Sequence, residues 1–381
     1  MNKFAFDKDR SIVIDECIGR GASCISYKCT VKFSDNKTSI GVLKEFVPYK
    51  LKVELLKEDG RYRYLPSQKK LFIDMLTNYV QNIDRIDELL DKISKKDSTI
   101  SWYYDSSTIN DSSKNKIFEL DEENNKYRAI RLLPYESTDA STTIHKFNIY
   151  GRIDALIKLC SVVDKFHLNN LIIADLKPKN FLYATDGTTS RIKIIDFDSA
   201  LLINDEDAVI ENQSVSGSPF YSSPEIRNND IQIFDMYAKR ADVYSIGAIL
   251  LNFVTIKIFD EISNNYGWFK DVKYPLNDLS EQLNDSVFSK LQEEEKDESI
   301  TLGFWKKFVQ IVLKATSSPE SRYENMLEIK KELISLQEIY LNKGVHPEVM
   351  LNKALDMAEN IMPKDIDENL FTNIKEVKDE N

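Results

Sequence analysis

The stretch LIIADLKPKNFLY, from Leu171 to Tyr183, places one aspartate, one lysine and one asparagine between two apolar runs. Asp175 could accept a proton from an attacking hydroxyl, Lys177 could neutralise a phosphoryl group in transfer, and Asn180 could hold a metal ion. By itself, however, such an aspartate is equally compatible with a helix cap or a turn. The stretch therefore predicts phosphoryl transfer only if other segments supply a second metal ligand and the residues that bind the phosphates.

A second aspartate follows the next strand, RIKIIDFDSA, at residues 191–200. This apolar run delivers Asp196 to its end, and a carboxylate is a hard oxygen ligand of the kind that Mg²⁺ prefers. Two aspartates that each follow an apolar strand, with Asn180 five residues beyond the first, argue against a chance arrangement. We therefore expect Asn180 and Asp196 to be the metal ligands.

A glycine-containing hairpin and a buried lysine lie near the N-terminus. In IGRGASCISYKC, at residues 18–29, Gly19 and Gly21 stand between two strand-like runs, where glycine lets the backbone approach a phosphate and donate N–H groups to it. A plain hairpin turn would explain the same pattern. Lys44 lies within the apolar strand GVLKEF, where an ammonium is costly to bury unless it meets an anion. Although a lysine that faces outward from the strand is the alternative, this position favours phosphate binding.

The periodicity of the chain predicts a sheet followed by helices. Strand-like runs extend to about Tyr49, and a helix is predicted from Gln68 to Ser94 because its apolar residues recur every three or four positions. The Ser- and Asn-rich segment that follows predicts a loop, and KIFELDEENNKYRAIRLL predicts two strands around an acidic turn. A second helix is predicted for 149–168, with mostly helical chain beyond it. A sheet-rich third before a helix-rich remainder predicts an α+β fold with two lobes and a cleft.

Taken together, these runs resemble the protein-kinase superfamily, specifically the eukaryotic-like (Hanks-type) Ser/Thr kinases of bacteria, over roughly residues 11–335. Further matching runs are GSPFYSSPE, ADVYSIGAIL and PESRY. The resemblance implies a bilobal fold with a small antiparallel-sheet N-lobe and a mainly helical C-lobe. The corresponding boundaries are a kinase-like N-lobe with a long helical insertion at 1–134, a C-lobe at 135–342 and an acidic helical tail at 343–381.

The resemblance also implies a reaction, namely transfer of the γ-phosphate of ATP, with Mg²⁺, to a Ser or Thr hydroxyl of a protein substrate. Asp175 would position the hydroxyl, Lys177 would steady the γ-phosphate, and Asn180 and Asp196 would hold Mg²⁺. Lys44 would grip the α- and β-phosphates under the loop that contains Gly19 and Gly21.

Structural roles follow from the same resemblance. Glu225 would pair with Arg322, and Asp242 would anchor the catalytic loop.

The chain departs from the family pattern at several positions. Cys24 replaces the third glycine of the glycine-rich loop, and the H-R-D triplet reads Ile173-Ala174-Asp175, which makes the chain a non-RD variant. Since the missing arginine normally clamps an activation-loop phosphate, we expect activity to be independent of phosphorylation at Ser214, Ser216 and Ser218.

Two further departures concern the metal-binding segment and Lys44. D-F-G reads Asp196-Phe197-Asp198, so the segment could be held in one state, or Asp198 could bring a second carboxylate to the metal. The helical partner of Lys44 stays open, since Glu88 competes with three aspartates of the same helix, at positions 74, 84 and 87.

Two other functions share these features. A catalytically inactive pseudokinase scaffold would explain the altered motifs, whereas the intact set of Lys44, Asp175, Asn180 and Asp196 opposes it. A small-molecule phosphotransferase of the aminoglycoside/choline kinase kind would explain the missing arginine. The discriminating feature is whether an extended activation segment that ends in Ser223-Pro224-Glu225 docks on the helix around Asp242, because that arrangement belongs to a lobe that binds protein substrates.

Composition sets the remaining expectations. The 381 residues include 51 Lys and Arg against 62 Asp and Glu, and the net charge of -11 argues against a nucleic-acid partner. The N-terminus lacks the apolar core of a signal peptide, and no apolar run reaches about 18 residues, so we expect a cytoplasmic protein without membrane contact. The four cysteines show no C-x-x-C pair and are expected to be reduced packing residues. The oligomeric state is not predictable from the sequence.

Overall fold

The computed structural model describes residues 3–21, 23–48, 53–55, 62–64, 66–96, 115–121, 126–135, 140–185, 190–203, 220–228, 231–259 and 276–343. Several predicted features lie outside these ranges. They are the loop within 97–114, the acidic turn at 122–125, the serines at 214, 216 and 218, and the tail helix beyond residue 343.

The N-terminal part is built on a six-stranded antiparallel sheet with the order β1-β2-β3-β4-β8-β7. A separate hairpin, β5 with β6, precedes the first long helix. Inward-facing residues such as Ile12, Val31, Leu43 and Leu132 form the core of the sheet. The strands are β1 (Lys3–Ala5), β2 (Arg10–Arg20), β3 (Cys24–Phe33), β4 (Thr38–Phe46), β5 (Val53–Leu55), β6 (Tyr62–Tyr64), β7 (Lys116–Asp121) and β8 (Lys126–Pro134).

Helix α1 (Lys69–Lys96) matches the prediction of a helix from Gln68 to Ser94 within two residues at the C-terminal end and one at the N-terminal end. Its first half packs Phe72 and Leu76 against the sheet, where Phe46 of β4 meets them. Its second half places Leu90 and other apolar side chains in the core of the helical part. The single apolar face that the periodicity predicts therefore serves two cores in succession.

The C-terminal part is mainly helical around one large apolar core. Asparagine or threonine side chains cap the starts of four helices, at Asn148, Asn284, Thr301 and Asn325. The helices are α2 (Ala140–Thr143), α3 (Ile149–His167), α4 (Pro224–Arg227), α5 (Ile231–Val254, with non-helical backbone angles at Tyr237), α6 (Leu276–Gln282), α7 (Asp285–Glu295), α8 (Leu302–Ala315) and α9 (Met326–Leu341).

Short strands of the helical part flank the polar residues that the sequence singles out. They form two antiparallel pairs, β9 (Leu171–Ile172) with β12 (Leu201–Leu202) and β10 (Phe181–Thr185) with β11 (Ser190–Ile194). The prediction of a bilobal α+β fold, with a small antiparallel sheet followed by a mainly helical lobe, is confirmed. In the described part of the chain, no helix is both long and apolar enough to cross a membrane.

Candidate functional site

A buried carboxylate of α5 holds the loop that begins after β9. Asp242 is fully buried and accepts hydrogen bonds from the backbone N–H groups of Ile173 and Ala174, both at 2.9 Å. The Nε2 atom of His167 lies 2.8 Å from Asp242 Oδ2 and must carry the proton, because a carboxylate only accepts. Ala174 has a φ of 62°, which is uncommon for a residue with a Cβ. The predicted anchoring of this loop by Asp242 is confirmed.

The loop brings three of the predicted site residues into direct contact. Lys177 Nζ lies 2.6 Å from Asp175 Oδ2. The side-chain amide of Asn180 donates to the backbone oxygen of Asp175 at 2.9 Å and to its Oδ2 at 3.2 Å. Asp175 and Asn180 are buried, whereas Lys177 keeps 24% of its side chain exposed. An acid, a cation and an amide therefore converge on one point of this loop.

The β10–β11 hairpin connects this loop with the second predicted acid. Ile195 N–H donates to the backbone oxygen of Asn180 at 2.9 Å, and Asp196 follows directly. About a third of the Asp196 side chain is exposed, 32% by relative area. Burial raises the pKa of Asp196, yet the ion pair with Lys44, the Asp198 N–H and the charge of Lys177 together hold that pKa below its ordinary value. Asp196 thus favours the ionised form and is partly exposed.

Lys44 reaches this group from the sheet. Its Nζ lies 2.7 Å from Asp196 Oδ1 and 3.0 Å from Asp198 Oδ2, and only 9% of its side chain is exposed. Burial lowers the pKa of Lys44, but the two carboxylates outweigh that effect and raise the pKa above its ordinary value. The alternative of an outward-facing strand lysine is wrong for this residue.

The acids of α1 do not supply the described partners of Lys44. Glu88 and Asp74 are exposed, while Asp84 and Asp87 pair with Lys116 of β7. Burial raises the pKa of Asp87 even though Arg131 and Lys116 oppose that change. The described partners of Lys44, Asp196 and Asp198, both follow β11, so none of the helix acids that the sequence offered is paired with it directly.

The glycine hairpin lies at the β2–β3 turn. Gly21 N–H donates to the backbone oxygen of Cys24 at 2.8 Å, which closes the turn, and a Cβ added at Gly19 would meet no atom within 4 Å. Cys24 points into the core between sheet and helix, where its thiol lies 3.4 Å from the Tyr79 hydroxyl. The residue that replaces the third glycine therefore packs inside the lobe, and phosphate binding by Gly19 and Gly21 stays a prediction.

The Ser-Pro-Glu triplet docks on the helix around Asp242. The Ser222 hydroxyl donates to the backbone oxygen of Ala174 at 3.3 Å, and Ile226 packs against Ala241. Glu225 forms a buried two-point ion pair with the Arg322 guanidinium, one of whose contacts measures 3.0 Å. The predicted pairing of Glu225 with Arg322 is confirmed. The end of the predicted activation segment contacts the helix around Asp242, while its preceding part, at 204–219, lies outside the described residues.

Sequence reasoning missed two residues of this region. Arg131 of β8 contacts Asp198 and Asp87, and His167 contacts Asp242. The sequence does contain a signal for Arg131, because this charged residue lies within the apolar strand KYRAIRLLP. A charged residue in an apolar strand is also what identified Lys44. No comparable signal marks His167, because a histidine at the end of a helix is common.

Comparison with protein families gives one clear match. The family described as the protein kinase domain matches residues 136–339, which is more than half of the chain and coincides with the mainly helical part.

Several curated proteins are also similar over shorter stretches. A serine/threonine-protein kinase ATG1b of Arabidopsis thaliana is 33% identical over 120 residues, covering 31% of this chain and 16% of that protein. Calcium-dependent protein kinase 3 of Plasmodium yoelii yoelii is 34% identical over 92 residues, covering 24% and 16%. Serine/threonine-protein kinase MPS1 of Encephalitozoon cuniculi is 31% identical over 126 residues, covering 32% and 20%. The chain thus spans no more than a fifth of the length of these relatives.

Proposed function

The chain belongs to the protein kinase domain family, and from that premise we propose that it transfers the γ-phosphoryl group of ATP to a serine or threonine hydroxyl of a protein. The observation that carries this proposal is the convergence of Asp175, Lys177 and Asn180 on one loop, beside the ion pair between Lys44 and Asp196. The similar regions of proteins named as serine/threonine kinases support the choice of acceptor.

The proposed reaction uses these residues for positioning and charge stabilisation. The acceptor oxygen forms a bond to the γ-phosphorus, the bond from that phosphorus to the β–γ bridging oxygen breaks, and ADP leaves. Asp175 orients the hydroxyl and receives its proton. Lys177, which lies 2.6 Å from Asp175, offsets negative charge on the transferred group, and Lys44 binds the α- and β-phosphates.

The donors at the site fit Mg²⁺. Asn180 turns its amide nitrogen toward Asp175, which leaves its amide oxygen for a metal, and Asp196 contributes an ionised carboxylate. In the described ranges, no three or more His, Cys, Asp or Glu side chains are grouped to hold a metal ion. The two donors Asn180 and Asp196 suit Mg²⁺, because this ion is usually bound by one or two protein ligands together with substrate phosphates. A bound Mg²⁺ would neutralise charge on the β- and γ-phosphates.

Two alternatives are weaker. A small-molecule phosphotransferase is disfavoured by the docking of the Ser-Pro-Glu triplet through Glu225 and Arg322. An inactive scaffold is disfavoured by the energetic cost of the site, since a chain released from catalysis has no physical need to bury polar side chains such as Lys44 and Asp175.

We also propose that activity does not require phosphorylation of the activation segment. The position that carries the phosphate-clamping arginine in related kinases is Ala174, and the loop around it is already held by Asp242. Replacing Ser214, Ser216 and Ser218 together by alanine should leave the transfer rate within about twofold of the wild type. A loss of tenfold or more, on the scale of 1.4 kcal/mol, would contradict this independence.

The principal test is transfer of label from γ-labelled ATP, with Mg²⁺, to a generic acceptor protein. The wild type should produce phosphoserine or phosphothreonine, and Asp196→Asn should produce neither. ATP binding without transfer would favour the inactive scaffold or a small-molecule acceptor. An exposed aspartate changed in the same way, Asp74→Asn, is the matched control and should behave as the wild type.

Other assignments from the motifs stay predictions. They are the lobe boundary near residues 134 and 135, membership of the bacterial eukaryotic-like, non-RD group, and a cytoplasmic location. The end of β8 at Pro134 and the start of the family match at residue 136 agree with the proposed boundary.

A further inference from the structure

Three cations form a row across the sheet. Lys44 of β4 lies directly opposite Arg131 of β8, and Arg131 lies directly opposite Lys116 of β7. Residues that pair in this way share one face of a sheet. The side chains are 9%, 5% and 10% exposed respectively. A buried cation is unfavourable unless an acidic side chain pairs with it. Acidic side chains from outside the sheet neutralise these three cations.

The acids that accompany this row come from two different parts of the molecule. Asp198, after β11, contacts Lys44 with Oδ2 at 3.0 Å and Arg131 with Oδ1 at 2.9 Å. Asp87, from α1, contacts Arg131 at 3.2 Å and also contacts Lys116. Charges therefore alternate along the series Lys44, Asp198, Arg131 and Asp87, which we call the charge chain.

We propose that Asp198, Arg131 and Asp87 are positioning residues that hold the Lys44 ammonium at the nucleotide site and tie helix α1 to it. The resemblance to kinases implies a direct contact between this lysine and an acid of the helix. In this chain the helix acid reaches Lys44 through two intermediates instead. The inference rests on the proposed function in that ATP is taken as the ligand of Lys44.

The geometry of Asp198 argues for positioning over metal binding. Each of its carboxylate oxygens already accepts a hydrogen bond from a different cation, and only 13% of the side chain is exposed. The preceding Phe197 is buried and packs edge-on against Phe166 with ring centroids 5.5 Å apart. Asp198 is therefore held from both sides, which favours the expectation that this segment stays in one state over the expectation of a second metal ligand.

The arrangement makes the four groups interdependent. Without Arg131, the buried Asp87 and the largely enclosed Asp198 would each lose a cation. Without Asp87, Arg131 would be drawn fully to Asp198 and would compete with Lys44 for it. Replacing Asp198, Arg131 or Asp87 therefore displaces the ammonium of Lys44. This holds even for Asp87, which lies on the helix and contacts neither Lys44 nor Asp196.

The test compares ATP binding, measured by titration calorimetry with ATP and Mg²⁺, in Asp198→Asn, Arg131→Met and Asp87→Asn. Each variant should raise the Kd for ATP by about tenfold, a coupling of the size seen between linked sites. The double variant Arg131→Met with Asp87→Asn should bind no more weakly than the weaker single variant, because members of one network are not additive. The stoichiometry of binding separates this effect from partial unfolding, which lowers the number of sites and leaves the Kd unchanged.

The matched control is Arg128→Met, on the same strand. Arg128 forms a cross-strand ion pair with Glu119 at 3.2 Å and takes no part in the charge chain. Its Kd for ATP should stay within about twofold of the wild type. If Arg131→Met does not fold, Arg131→Lys keeps the charge but lacks the planar fork that spans two carboxylates, and it should still weaken ATP binding severalfold.

Failure of the inference and failure of the proposed function are distinguishable. Wild-type Kd values in the three single variants would overturn the charge chain, whatever the transfer rate. A wild type that binds ATP but transfers no phosphate would refute kinase activity, and weaker binding by the variants would still support the charge chain. A wild type that does not bind ATP would overturn both.

Discussion

At the scale of single residues, the contacts of Asp242 explain how the chain tolerates an altered catalytic triplet. Asp242 holds the loop through the backbone N–H groups of Ile173 and Ala174, and such contacts are independent of the side chains at these two positions. Ile173 is fully buried in the core of the helical lobe, so an apolar residue suits it. The departure from H-R-D therefore leaves the course of the backbone leading into Asp175 supported.

The variant Asp242→Asn tests this support. An asparagine has only one acceptor oxygen, and its amide N–H groups would face the backbone N–H groups that Asp242 binds. Hydrogen bonds are therefore lost at a fully buried position. We expect a loss of about 3 kcal/mol in the free energy of unfolding, measured by urea denaturation. The exposed Asp74→Asn is the control and should change this free energy by less than about 0.5 kcal/mol. An equally small effect for Asp242→Asn would contradict the anchoring role.

The cysteines provide a second prediction at this scale. Cys17 is exposed, while Cys24, Cys29 and Cys160 are buried. Burial raises the pKa of Cys29 and of Cys160 to about 12, and it raises that of Cys24 as well, so these thiols are poor nucleophiles near neutral pH. Titration with a disulfide reagent should detect one rapid thiol in the folded protein and all four after unfolding. Two or more rapid thiols would contradict the packing.

The residues that meet at the candidate site could be singled out from the sequence, although their roles stay predictions, whereas most of their contacts could not be foreseen. Lys44, Asp175 and Asn180 stand out because charged or amide groups interrupt apolar runs at motif spacing. The contacts of Arg131 join residues 87, 131 and 198, which lie in separate parts of the chain. Only the register of β4, β8 and β7, together with the placement of α1, brings them together, and local sequence does not encode that placement.

At the scale of elements, the packing of α5 against α8 depends on Gly247, because a residue without a side chain lets the two helices come close together. A Cβ added at Gly247 would lie 2.5 Å from the Cβ of Ala315 and 3.2 Å from Cγ2 of Thr316. The first contact is shorter than real carbon atoms allow, and the atom that would have to move is attached directly to the backbone of α8. The glycine thus permits the close approach of the two helices.

The variant Gly247→Ala should therefore be destabilising. Alanine favours a helix over glycine by about 1 kcal/mol. Overpacking of a core costs about 1–3 kcal/mol, and in this rigid contact we expect it to prevail. The Tm should fall by a few degrees in a thermal melt. The double variant Gly247→Ala with Ala315→Gly removes the clashing atom and should recover much of the loss; a single variant more stable than the wild type would contradict the account.

Element boundaries followed well from periodicity and capping, since α1 and α3 end within two residues of their predicted limits. The periodicity did not predict that α1 contributes to two separate cores. Its apolar repeat predicts one buried face, yet the first half of that face belongs to the sheet and the second half to the helical core. A periodic pattern of apolar residues predicts that one face of a helix is buried, but it does not predict which part of the protein covers that face.

At the scale of the whole molecule, the two lobes meet through charged groups and one shared helix. Lys44 and Arg131 extend from the sheet to Asp196 and Asp198 of the helical lobe. Helix α1 adds apolar contact with both cores, and the Asn82 amide donates to the backbone oxygen of Ala200 at 3.3 Å. The contacts between the lobes thus include fixed charges of both signs, an arrangement that would suit the proposed binding of a polyanionic nucleotide.

We propose that Asp175 acts on the acceptor hydroxyl while other residues bind the nucleotide. The most direct measurement compares Asp175→Asn with the wild type in two quantities, the Kd for ATP with Mg²⁺ and the rate of phosphate transfer in a single turnover. We predict a Kd within about threefold of the wild type. The rate should fall by about 10²-fold or more, the contribution expected of a positioned acid or base. A variant that transfers phosphate at the wild-type rate would contradict the account.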